Sequence, residues 1–193
     1  FRRPEQVLDT LRSLVQQRTK RPFAVIVMEN ETTEGAGVKA AAAMFQDGSL
    51  QGLVILAHER GNCCAYNAGF VTALEEFPSA RAIAIIDDDE LADPDWLEEM
   101  AACADRLDAD IVGGPQVPVF AEAEHEAWRT HPVFSPPYEE TRKVDALYSS
   151  GNLFIRRRVL EAMPRPYLDL KFNFLGGGDS DFLSRARQKG FQL

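Results

Sequence analysis

Cationic side chains are in the minority in this chain: 21 lysines and arginines stand against 30 aspartates and glutamates, a formal net charge of -9. A nucleic-acid backbone needs basic patches, so the balance argues against nucleic acid as the main partner, while leaving room for a nucleotide held through a metal. Cysteine is scarce and odd in number, limited to Cys63, Cys64 and Cys103. The adjacent pair suits neither a disulfide framework nor the usual zinc spacings, and a reducing cytosol is the simplest setting. Buried structural cysteine is the ordinary reading, with a catalytic thiol as its alternative. No run of about 18 apolar residues is present, so nothing in the sequence is built to span a membrane. No apolar stretch of signal-peptide type follows Phe1-Arg2-Arg3-Pro4-Glu5, and there is no internal repeat or low-complexity tract. With 193 residues, the length fits one large core better than two.

What the chain does have is an apolar run ending in acids, Ile83-Ala84-Ile85-Ile86-Asp87-Asp88-Asp89-Glu90. Adjacent carboxylates raise one another's pKa and disfavour their own ionised forms. A divalent cation relieves that crowding. Oxygen-only ligands favour Mg2+ or Mn2+, and Mg2+ commonly leaves part of its shell to phosphate oxygens and water, which points toward a phosphorylated substrate. The apolar run reads as a parallel strand covered on both faces, and ligands of open α/β sheets gather beyond the carboxyl ends of such strands. The competing reading is a solvated acidic turn, with Asp93 capping a helix that has Pro94 at its first position. A calcium loop fails on Ala92, where that loop needs glycine.

Along the chain, helix and strand signals alternate. Helices are predicted after Pro4 (apolar face Val7, Leu8, Leu11, Leu14, Val15), over 36–45, over 65–77 with small residues Ala65, Ala68, Gly69 and Ala73, over 94–107, over 156–163 and from the 176–182 segment to Lys189. Strands are predicted at 23–28, 53–57, 83–86, 110–113, 148–155 and from Phe191. Such alternation implies βαβ units and a mostly parallel, Rossmann-like sheet flanked by helices. Residues 115–147 break the pattern, being proline-rich with a short helical candidate over 121–129, and read as a functional lid or binding segment.

Five segments in order resemble the family 2 inverting glycosyltransferases of the GT-A fold. Phe1-Arg2-Arg3-Pro4 resembles the end of that family's Pro-Thr-Tyr-Asn-Arg-Pro opening, and Ile26-Val27-Met28-Glu29-Asn30 its second strand. Gly61, Ala65, Asn67 and Gly69 match Gly-x-x-x-Ala-Arg-Asn-x-Gly; Asp87-Asp88-Asp89 with Pro94-Asp95-Trp96-Leu97 match the Asp-x-Asp strand and following helix; Gly177 to Phe182 resembles Glu-Asp-x-Asp-Leu. The resemblance implies a donor half (1–114) and an acceptor and catalytic half (115–193) of one core. It implies donor contacts from Glu29, Asn67, Asp87 and Asp88, and Mn2+ or Mg2+ on Asp87 and Asp89. Glu29 replaces the usual Asp, Tyr66 stands where Arg is common, and Gly178 occupies the place of the family Glu, leaving Asp179 as the acid aligned with the catalytic base. The first central strand is expected before Phe1 and the chain stops as a strand begins at Phe191, so it reads as an excised core truncated at both ends.

The residues carry a chemistry beside the resemblance. A hydroxyl attacking a sugar's anomeric carbon needs a general base, and Asp179 at a helix entrance can serve, its alternative being a helix cap. Asp181 divides between capping and substrate contact. The glycines Gly177 and Gly178 admit backbone close to an acceptor, Gly151 and Asn152 line it or form a simple turn, and Trp128, with His131, Phe134 and Tyr138, stacks on a sugar or anchors its own loop. The expected partners are a nucleotide-diphospho-sugar donor and a sugar, lipid-linked or polysaccharide acceptor. The expected setting is cytoplasmic, including the cytoplasmic face of a membrane, where Arg156-Arg157-Arg158 could meet anionic headgroups. A nucleotidyltransferase and a noncatalytic sugar-nucleotide or glycan-binding domain are the competing functions.

Overall fold

In the computed structural model, residues 4–30, 35–57, 59–120, 122–131, 138–147 and 150–193 are described. The amphipathic stripe of the first helix, α1 (Pro4–Val15), buries Leu11 and Leu14. Two strands, β1 (Val25–Glu29) and β2 (Gly52–Leu56), pair in parallel from Val25 opposite Gly52 to Glu29 opposite Leu56, joined through helix α2 (Ala36–Gln46). Gly52 is required there: a Cβ on it would lie 2.0 Å from the Val25 carbonyl oxygen. Helix α3 (Asn62–Glu76) then lies on β1, and its small residues allow the close approach the sequence predicted. A Cβ on Gly69 would fall 2.2 Å from the Met28 sulfur.

The acidic strand, β3 (Ala82–Ile86), belongs to a second sheet with β4 (Ile111–Gly113) and β5 (Asn152–Arg156), in the order β3-β5-β4. Here one expectation is corrected. The hydrogen-bonded neighbour of β3 is the antiparallel β5, which also pairs antiparallel with β4, so among the described residues parallel pairing is confined to β1 and β2. The apolar run of β5 encodes its burial but not its direction. Helix α4 (Trp96–Leu107) links β3 to β4, packs Met100, Ala101 and Ala104 against Val112 and Phe154, and ends at Asp108 in the left-handed region (φ 48°).

Element bounds shift modestly from the sequence reading. β1 begins at Val25 and not Phe23, and β5 at Asn152, the expected start at Tyr148 and Ser149 lying outside the described residues. α4 begins at Trp96 because Asp93 and Pro94 form a turn instead of a cap: the Asp93 carboxylate accepts from the Asp95 amide, and its carbonyl accepts from Trp96. The helical candidate near 121–129 is a 3-10 helix, Ala123–Thr130. Helices α5 (Arg157–Ala162) and α6 (Gly178–Gln188) complete the core, in which Tyr66, Phe70, Tyr167 and Phe182 meet by ring contacts. The strand expected from Phe191 is irregular, although the Gln192 carbonyl accepts from the amides of Asp110 and Ile111. The buried Asp110 carboxylate in turn takes Arg158 and the Gln192 amide. Arg157 is committed too, donating to the Leu74 and Phe77 carbonyls that end α3.

Candidate active site

The first two turns of α3 gather the site. Gly61, just ahead of the helix, exchanges two hydrogen bonds with the side chain of Asn30 beyond β1. One turn in, the Tyr66 hydroxyl donates to Asp87 Oδ1 beyond β3 at 2.9 Å. Asn173 donates to the Arg60 carbonyl and accepts from the Cys64 amide, bringing in the loop ahead of α6. The start of α6 sits on Cys63, where a Cβ on Gly178 would fall 2.7 Å from the sulfur. The turn before β5 closes the circle. Gly151 is buried so tightly that a Cβ there would lie 2.7 Å from Asp87 Oδ2 and 2.8 Å from Glu90 Oε1.

Across this arrangement the charge of Asp179 reaches Asp87. Burial first, then the charges of Asp89, Asp88 and Asp179, push the Asp87 carboxyl above the usual range, against the lowering effect of the Tyr66 bond. Burial and Asp87 push Glu90 up to about 7. Burial also holds the Tyr66 phenol far above its ordinary value, so it stays a proton donor. The Cys63 thiol, 2% exposed in the core, is raised by burial and by nearby Cys64, Asp169 and Asp179, which disfavours the thiolate.

The donor set is all oxygen and electrically crowded, as a hard divalent cation requires. Among the described residues no group of three or more His, Cys, Asp or Glu side chains is arranged to hold a metal ion. A Mg2+ shell commonly takes only one or two protein carboxylates, the rest coming from phosphate and water. Asp88 and Asp89 lie exposed on the turn after Asp87, and Glu29 ends β1 with Oε1 accepting from the Asn30 amide at 2.8 Å.

Several expected site residues are otherwise engaged. Asn67 grips the backbone of Leu168 with both ends of its amide, at 2.8 and 2.9 Å, and is a structural bracket between α3 and the 160s segment. Asn152 is buried, donating to the Pro115 carbonyl and accepting from the Trp96 indole. Asp181 makes an ion pair with Arg185 at 2.7 Å and caps no backbone amide. Trp128 is 61% exposed, its ring 5.6 Å from His125. Tyr138 bonds the Ala146 carbonyl and lies under Arg142, and Phe134 is outside the described residues. Gly177 adopts φ 88°, which only glycine tolerates easily, at the entrance to Asp179.

Sequence reasoning missed Gln116 and Asn173, and took Ser150 only as part of the 149–152 segment that lines an acceptor or forms a simple turn. Ser150 hydrogen-bonds Tyr66, and Gln116 donates to Glu90. Only their place beside a turn or proline hinted at them, because their partners are remote in sequence.

A family model for Glycosyl transferase family 2 matches residues 1–163. The chain belongs to that family. No curated protein matches this family 2 chain. Among solved structures it resembles S. aureus TarS 1-349 in complex with UDP, with a TM-score of 0.69 at 15% identity over 95% of this chain and 52% of that one. It also resembles the mannosyltransferase PcManGT from Pyrobaculum calidifontis in complex with GDP-Man and Mn2+, with a TM-score of 0.64 at 17% identity over 98% and 50% of the two chains. A197 from STIV follows with a TM-score of 0.52 at 15% identity, over 84% and 76%. These likenesses concern the fold. This family 2 chain spans about half the length of the first two proteins. No helix among its described residues is long and apolar enough to cross a membrane.

Proposed function

We propose that the chain is the core of a metal-dependent inverting glycosyltransferase, taking a sugar from a nucleotide-diphospho-sugar to an acceptor hydroxyl in glycoconjugate or polysaccharide synthesis. The observation that carries this is that Asp87, just beyond a strand end and closed over by Gly151, lies within reach of the charge of Asp179 at the entrance of α6. Residues 1–114 form the donor half and 115–193 the acceptor and catalytic half. The solved relatives bound to UDP or to GDP-Man with Mn2+ support a nucleoside-diphosphate donor and a divalent ion.

Asp87 and Asp89 would hold Mn2+ or Mg2+, with Asp88 and Glu29 toward the nucleotide. When bound, the ion neutralises the charge that develops on the departing diphosphate. Asp179 accepts the proton of the acceptor hydroxyl as that oxygen bonds to the anomeric carbon from the face opposite the leaving group, so the product anomer is inverted. Gly176 and Gly177, both at positive φ, keep side chains out of the approach to Asp179. The acceptor is a sugar, a lipid-linked glycan or a polysaccharide at the cytoplasmic face of a membrane.

Incubation with Mn2+ and a panel of UDP-, GDP-, dTDP- and CDP-sugars tests this, scoring nucleoside diphosphate release together with the thermal shift of the protein. One nucleotide raising the melting temperature, with release of its diphosphate, is expected. Stabilisation without release in a length-complete protein marks the noncatalytic binding module instead. That second reading draws on Gly178, whose burial against Cys63 leaves no space for the family's glutamate.

A further inference from the structure

Tyr66 stands apart from the other aromatic residues of the core. Its ring is 6% exposed and packs edge-on to Phe70 with centroids 6.2 Å apart, as a core residue should. Its hydroxyl, however, leaves the apolar cluster to donate to Asp87 Oδ1 at 2.9 Å and to hydrogen-bond Ser150. A buried hydroxyl needs such partners. Phenylalanine at the same position would fill the same volume without that requirement, so stability alone does not call for the oxygen.

The three groups come from three elements: Tyr66 from α3, Asp87 from the end of β3, and Ser150 from the turn entering β5. Asp87 is thereby held by the phenol at Oδ1, while Oδ2 borders the space left by the missing side chain of Gly151, 2.7 Å from where a Cβ would sit. A free carboxylate rotates about its terminal bond. One fixed by a buried donor on one oxygen presents the other in a set direction, and outer hydrogen bonds of this kind govern metal affinity in carboxylate sites.

We infer that Tyr66 is a positioning residue that locks the Asp87 carboxylate, so that Oδ2 is presented to a divalent cation. The inference rests on the reading of Asp87 as a cation ligand. The bond also joins the cation site to Ser150-Gly151. Loosening it disturbs the ligand and the floor of the site together, without touching the substrate itself.

The test is direct Mn2+ titration of the protein with nucleoside diphosphate present, following free Mn2+ by electron paramagnetic resonance. The parent protein is compared with Tyr66→Phe, Ser150→Ala and the packing control Phe70→Leu. Tyr66→Phe is expected to raise the Mn2+ dissociation constant by about 10- to 100-fold and to broaden the bound-ion spectrum as the carboxylate gains orientations. In steady-state assays its Mn2+ requirement should rise more than its kcat falls at saturating metal. Ser150→Ala should weaken binding less, because the phenol-to-Asp87 bond remains. Phe70→Leu should lower the melting temperature yet leave Mn2+ affinity at the parent value. Parent-like Mn2+ affinity in Tyr66→Phe overturns the inference, as does a loss of affinity in Phe70→Leu equal to that in Tyr66→Phe. Failure of the parent itself to bind Mn2+ overturns the cation reading, and the inference with it.

Discussion

At the scale of single residues, Asp179 has the most chemistry resting on it, and the simplest substitution tests it. Asp179→Asn keeps the shape at the entrance of α6 but cannot take a proton at neutral pH. Donor affinity is expected to survive while transfer falls by roughly 100-fold or more, measured as product formation against nucleotide binding in a length-complete protein. Parent-rate transfer would move the base elsewhere. The strand end was legible before any coordinates, because a short apolar run ending in acids marks the point where β3 leaves the core at Ile86. The duties of the amides were not. Asn67 resembles a donor contact in a motif, yet its orientation depends on the Leu168 backbone, 101 positions away. Asn152 likewise is decided by the indole of Trp96 and the carbonyl of Pro115. A side chain with a donor and an acceptor can serve either role, and tertiary partners choose between them. Tyr66 reads in sequence as a lost arginine; in space it is a donor to the carboxylate that the acidic strand presents.

At the scale of elements, α6 packs on α3 through the Phe70 and Phe182 rings and through a tight contact at Gly178, and the latter can be measured. A Cβ at Gly178 collides with the Cys63 sulfur, so Gly178→Ala must push the entrance of α6 away or displace the thiol. The expected cost is about 1–3 kcal/mol of stability, with loss of transfer as Asp179 moves. Cys63→Ala removes the obstructing sulfur. The double variant should recover much of the loss, giving a coupling of about 0.5–3 kcal/mol in a denaturation cycle; strict additivity would mean that the two helices adjust independently. The helices and most strands were readable because apolar spacing and small-residue stripes reflect packing that each element makes along its own length. Strand direction was not, and β5 shows why: Leu153, Phe154 and Ile155 are apolar on both faces, and such a run fits a parallel or an antiparallel slot equally well.

At the scale of the whole molecule, the acidic cluster sets a pH dependence. Asp87 and Glu90 have raised values in the folded state, so between the ordinary glutamate value of 4.5 and about 7 the folded protein retains protons that the unfolded chain has released. Stability of the metal-free protein therefore falls as pH rises through that window. Asp47, Glu98 and Asp169 are shifted downward and act in the opposite sense, at lower pH. Melting temperatures from pH 4.5 to 7 are expected to decline, Glu90→Gln to flatten the decline, and saturating Mn2+ with nucleotide to reverse it; a rising profile without metal would contradict the assignment. The two sheets carry another consequence. Glu29 ends the small β1–β2 ladder and Asp87 ends a strand of the β3-β5-β4 sheet, and no ladder among the described residues joins the two. The first is half-buried throughout, whereas four of the five residues of β5 are fully buried. A two-stranded sheet of that kind is marginal on its own and opens to solvent more often than the core around it. Amide deuterium uptake in β2 should accordingly outpace that in β5. A donor touching both Glu29 and Asp87 would rivet the looser ladder to the firmer one, so nucleotide should slow uptake in β2 far more than in β5, although it touches neither strand along its length.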